Sequence, residues 1–230
     1  MKEKILLVVS VMAVSTFAFA QERSFSVKGG LNFNDADIVL DGVEISDDVE
    51  ITCGLNLGAY FDNKFSNYNN NFFNKISVEL GLQFEQKGYK YAYVLGSTKT
   101  EKECLVNYLS LPYHVKFNLP ISKCNLYFLM GGNMGLAISG TTNTKTTIKN
   151  TSLSQEDDIK FGNDKDYDMC RDYEGFDLGV GFEFPNKMGV RLVADLGANS
   201  LPKDQKNSST AFNSVSLSVT YKLFSNKKSD

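Results

Sequence analysis

Residues 75–88 read KISVELGLQFEQKG and divide cleanly by parity. Ile76, Val78, Leu80, Leu82 and Phe84 fall on one side, and Ser77, Glu79, Gly81, Gln83, Glu85 and Lys87 on the other. Successive side chains leave a pleated strand in opposite directions, so this alternation describes a strand with two unlike faces. The pattern recurs in segments 24–34, 51–62, 75–87, 104–118, 125–138, 173–184, 188–198 and 212–224. These exceed the usual ~5–6 residues of a globular strand and match the ~9–11 that cross a bilayer at a tilt. No helical period competes with them, so the chain is all-β. What remains open is which face of each strand looks inward.

The connections alternate in length. The first, third, fifth and seventh are 35–50, 88–103, 139–172 and 199–211, all long; the second, fourth and sixth are 63–74, 119–124 and 185–187, mostly shorter. A soluble meander has no reason to sort its loops in this way. An outer-membrane barrel does, with short periplasmic turns and longer extracellular loops.

Parity carried through all eight strands gives an apolar set with no charged residue. The opposite set holds Lys28, Glu79, Glu85, Lys87, Lys116, Asp177, Glu183, Arg191, Asp195 and Lys222, together with His114. In a soluble barrel the apolar set would fill the interior. Here the polar face also carries many glycines, among them Gly30, Gly58, Gly81, Gly131, Gly179 and Gly181. Glycine weakens an exposed strand but suits the crowded interior of a narrow barrel. The apolar face is too uniformly large for the inside of eight strands. The charged set is therefore expected inside and the apolar set against lipid. Buried charges need partners, so the five acids and five bases are expected to form an interior charge network that plugs the lumen.

The N-terminus agrees with export. Lys2 and Lys4 precede an apolar run from Ile5 to Ala13, and the segment closes on Ala18-Phe19-Ala20. A charged start, a short apolar run and an A-x-A close form a signal peptide, with cleavage expected after Ala20. This divides the chain into a signal peptide at 1–20 and a barrel domain at 21–230. No later apolar run reaches the ~18 residues of a membrane helix. The 24 Lys+Arg against 27 Asp+Glu, without a basic run, argue against nucleic acid as a partner.

Little here suggests catalysis. His114 is the lone histidine, with Ser110 four residues earlier on the same face and Glu79 or Glu85 on the neighbouring strand. A lipid hydrolase built on His114 is thus one alternative reading, and a soluble exported ligand-binding barrel is another. No P-loop, G-x-S-x-G or H-E-x-x-H occurs. The acidic stretches at 35–50 and 156–168 lack EF-hand spacing and read as solvated loops. No enzyme activity, cofactor or metal is expected. Cys53, Cys104, Cys124 and Cys170 allow three full pairings. Cys104 with Cys170, which would tie two outer loops together, is the first candidate for a disulfide.

Several stretches resemble a known family. SFSVKGGLNF, KISVELGLQFEQKGYKY, VNYLSLPYHVKFNLP, LYFLMGGNMGLAISG, GFDLGVGFEFPNKMGVRLVADLGANSL and SVSLSVTYKLF are similar to the PorT-like outer-membrane β-barrel domain of Bacteroidota. Asn107-Tyr108-Leu109 with Pro112, and Gly179 to Phe184, are the most specific parts. The resemblance implies an eight-stranded antiparallel up-and-down transmembrane β-barrel in the outer membrane. Its expected partners are outer-membrane lipid, the assembly machinery during insertion, and an unknown extracellular or periplasmic protein. The chain departs from the common pattern at its end, where SNKKSD follows Phe224. The long connection 139–172 is the expected contact surface.

Overall fold

The computed structural model describes residues 22–40, 43–44, 49–65, 72–149, 151–162, 167–199 and 209–227, so the expected signal peptide lies outside the described residues. The strands are β1 (Glu22–Leu40), β2 (Val43–Glu44), β3 (Val49–Glu50), β4 (Thr52–Lys64), β5 (Ile76–Leu95) and β6 (Thr98–Ile121). They continue as β7 (Cys124–Ile148), β8 (Thr151–Asp158), β9 (Asp172–Glu183), β10 (Met188–Asn199) and β11 (Ser209–Lys227). Eight of them form a ring in the order β1-β4-β5-β6-β7-β9-β10-β11, closed by β11 pairing with β1 from Glu22 opposite Lys227 to Val39 opposite Ser209. Closure leaves the ring no free edge, as a bilayer that offers the backbone no hydrogen bond requires.

The apolar parity faces out. Leu31, Leu57, Leu82, Leu111, Phe128, Leu178, Leu192 and Leu217, one from each stave, are all 44–55% exposed. On β6 the outward apolar positions run from Leu109 to Leu119. That is about 34 Å of strand, or about 24 Å of height at a 45° tilt, which matches the apolar band of an outer-membrane barrel. A continuous apolar belt of this size needs lipid to cover it. The soluble-barrel reading, with the apolar set inside, is overturned.

Tight turns join the staves at one end. Ser122 (φ 57°) and Lys187 (φ 69°) take left-handed conformations there, and the β4–β5 link includes a short 3-10 turn at Phe73–Lys75. The other end differs from expectation. The connection 88–103 is strand on both arms and turns at Gly96, whose φ of 62° favours glycine. The described residues of 139–172 are likewise no free loop. β7 continues well past Leu136, which makes its last pairing with β9 at Asp172, and folds back through β8. Ile159 and Met169 then enter the top of the barrel. They join Tyr89, Val106, Tyr108, Tyr173 and Phe212 in a buried apolar cluster that caps the lumen.

Candidate functional site

Below that cap the lumen is polar and filled. β5 supplies Glu79, Gln83, Glu85 and Lys87 from its inward parity, with Gly81 between the first two, the polar side of the 75–88 stretch. Across the lumen β10 supplies Arg191 and Asp195. Lys87 Nζ lies 2.5 Å from Asp195, 3.9 Å from Glu85, and 4.3 Å above the Tyr173 ring. Arg191 Nη1 donates to Glu79 at 2.7 Å, and Nη2 donates to His114 Nδ1 at 3.0 Å. His114 Nε2 then donates to Asp177 at 2.7 Å. Glu79 also lies 3.1 Å from Nδ1, held there by the shared guanidinium.

Toward the turn end, Lys116 bridges Asp62 at 2.6 Å and Glu79 at 3.4 Å, and Lys222 meets Glu183 at 3.2 Å. A cavity of about 230 Å³ opens here, lined by Asp62, Lys116, Glu183, Lys187 and Lys222 among others. Tyr127 and Arg191 also line it. At mid-lumen the remaining space is about 10 Å³, the size of one water.

The structure places all ten of the charged residues named from the sequence on the lumen wall, and nine of them make an ion pair or a charge-assisted bond. Lys28 does not fit the expected pairing. Its ammonium donates to Gln83 Oε1 at 2.7 Å and sits 5.0 Å from the Tyr60 ring, because no carboxylate reaches its level on β1. Asp177 takes His114 instead of a lysine. Asp62, Tyr60, Tyr127, Tyr173 and Asn133 were missed by sequence reasoning. Asp62 has the right parity but falls at the last position of its segment, beside a turn. The tyrosines are amphipathic, so parity alone leaves their side open. Neighbouring glycines could have signalled them: a Cβ at Gly81 would come within 2.6 Å of the Tyr60 ring, and one at Gly181 within 2.2 Å of Tyr127.

The hydrolase constellation is not brought together. Ser110 Oγ donates to Glu85 at 2.6 Å, whereas His114 engages Glu79, Arg191 and Asp177. Four residues of strand separate Ser110 from His114, about 13 Å, and both side chains are buried. The expected Cys104–Cys170 disulfide is also not formed, and no disulfide joins any of the four cysteines. Cys104 points into the capping cluster, among Tyr89, Val106 and Tyr108.

A model of a family described as "Outer membrane protein beta-barrel domain" matches residues 19–201. No curated protein sequence matches the chain. Among solved structures, the chain is similar to Neisserial surface protein A, at 11% identity over 87% of this chain and 99% of that one, with a TM-score of 0.39. It is similar to Ail, the attachment invasion locus protein of Yersinia pestis, at 14% identity over 88% and 99%, TM-score 0.33. The outer membrane enzyme PagL follows at 10% identity over 85% and 98%, TM-score 0.42.

Proposed function

The chain belongs to the outer membrane protein β-barrel domain family, and from that premise we propose a small, closed outer-membrane barrel with a structural and surface-interaction role and no catalytic activity. One observation carries this reading: the middle of the lumen is filled by buried side chains, most of them in ion pairs or hydrogen bonds. Lys87, Glu85, His114, Lys116 and Arg191 are each at most 4% exposed, and an apolar cluster seals the loop end. A barrel of eight strands is just wide enough for such a filling. The ion pairs hold the staves in register and leave no path for solutes.

Catalysis would need a nucleophile and a base within hydrogen-bond reach of each other and of substrate. His114 has both ring nitrogens engaged below the belt surface, which speaks against the lipid-hydrolase alternative. The finer assignment, to the PorT-like group of Bacteroidota, rests on the Asn107–Pro112 and Gly179–Phe184 motifs. Export by the signal peptide, with cleavage after Ala20, belongs to the same reading, as do lipid, the assembly machinery and an unknown protein as partners. Reconstitution in planar bilayers tests the plug: no large stable conductance is expected, and reproducible steps of porin size would overturn it.

A further inference from the structure

Above the ring, β3, β5, β6, β7 and β8 continue as an open sheet on the extracellular side. β7 gives its far edge to β8, and β8 pairs with nothing else among the described residues. All eight residues of β8, TSLSQEDD, are exposed. An unpaired edge of this length is a template for another strand, and proteins ordinarily blunt or cover it.

The two faces of this sheet differ. Register places Tyr93, Thr100, Thr146 and Leu153 in one row on the face that continues the lumen wall. Tyr93 is 53% and Leu153 71% exposed, so the row ends at β8 on a bare apolar side chain. On the opposite face the row Lys90, Glu103, Asn143 and Glu156 ends at β8 on an acid. The cations of that face are already engaged: Lys90 by Glu50 at 2.9 Å, and Lys99 and Lys145 by Glu101 at 2.6 and 3.8 Å. Glu156 and Asp158 have no ion pair among the described residues, and Asp157 accepts only from Gln155.

We propose that the free edge of β8 docks an extended, basic segment of another protein, which joins the extracellular sheet as one more strand. Backbone hydrogen bonds supply the attachment and alternate side chains the selection. Lysine or arginine opposite Glu156 and Asp158 neutralises the outer face, and an apolar residue opposite Leu153 extends the inner row. A second copy in the same membrane is the poorer occupant. Both barrels point the same way, so their β8 strands can pair only roughly parallel, which sets Glu156, Asp157 and Asp158 beside their own copies. Like charges directly opposite are destabilising.

This inference rests on the surface-exposed barrel proposed above. Its probe is a fluorescent ten-residue peptide with lysines opposite Asp158 and Glu156 and valine opposite Leu153, titrated by anisotropy onto the full mature chain in nanodiscs. The lysine peptide is expected to bind. An analogue N-methylated on alternate amides, with its charge unchanged, should bind about tenfold more weakly or worse. The doubly substituted Glu156→Lys/Asp158→Lys chain should reverse the preference toward a glutamate peptide. Equal binding of the methylated analogue, indifference to charge reversal, absence of peptide binding, or crosslinking of β8 to its own copy would each overturn strand addition. Labelling of a cysteine at 153 on intact cells separates the two failures: a site labelled from outside keeps the barrel reading while peptide binding fails, and an inaccessible site removes both.

Discussion

Lys87 and Asp195 touch at 2.5 Å although they lie 108 residues apart on β5 and β10, which stand opposite each other in the ring. Arg191 and Glu79 repeat the crossing one level nearer the turn end, at 2.7 Å. Two struts between the same opposed staves resist flattening of the barrel, something neighbour-to-neighbour backbone pairing cannot do.

Burying these charges is costly, so the struts are expected to matter more when broken than when replaced. Lys87→Met leaves Asp195 buried without its cation and should cost about 3–5 kcal/mol. Combining it with Asp195→Asn should cost less than the sum of the single changes by about 1–3 kcal/mol. Urea unfolding in micelles, followed by the gel shift between unheated and boiled samples, measures all four corners. Additive losses would mean that the pair does not act as a unit.

The histidine gives a second expectation. His114→Ala removes the acceptor of Arg191 Nη2 and the donor to Asp177, and should cost about 1–3 kcal/mol of stability. Phospholipids and lipid A from cells overexpressing the natural chain should match control cells by mass spectrometry. A deacylated species that vanishes in His114→Ala would show that the residue is catalytic.

Strand periodicity made the barrel wall legible in the sequence, because a lipid belt imposes one strict rule on every second residue. It also placed Glu79, Glu85, Lys87 and Arg191 inside. Partners were harder to read. Which acid meets which base depends on height and on the stagger between staves, which alternation does not record; hence Lys28 goes to Gln83 and His114 to Asp177. The strands beyond the apolar belt escaped for another reason. Above the membrane no lipid enforces alternation, so the threonine-rich and charged arms of β6, β7 and β8 look like loop until their register is seen.

The cysteines differ sharply in surroundings. Cys104 is 2% exposed inside the capping cluster, whereas Cys53 is exposed on the outward parity of β4. Under non-reducing conditions the purified chain should migrate as a monomer and carry four thiols after unfolding. In the folded protein a maleimide should modify Cys104 far more slowly than Cys170, which is only half-buried. Loss of two thiols, with a crosslinked fragment spanning 104 and 170, would restore the disulfide.

The most direct check of the wall returns to neighbouring residues of β5. Leu82 is 51% exposed on the apolar parity, and Gln83 is 5% exposed among Lys28, Tyr60 and Glu85. Leu82→Lys sets a charge against hydrocarbon and should cost roughly 2–4 kcal/mol near the membrane midplane. Substitution alone does not decide the orientation, since a lysine would also disturb an apolar interior. A spin label on a cysteine at 82, in a background without native cysteines, does decide it. In liposomes the label should be relaxed by oxygen dissolved in the bilayer and ignored by a water-soluble nickel chelate. A label at 83 should meet neither reagent, because the filled lumen excludes both. Strong relaxation by the chelate at 82 would mean that the apolar face does not meet lipid, and at 83 that the lumen conducts water past its ion pairs.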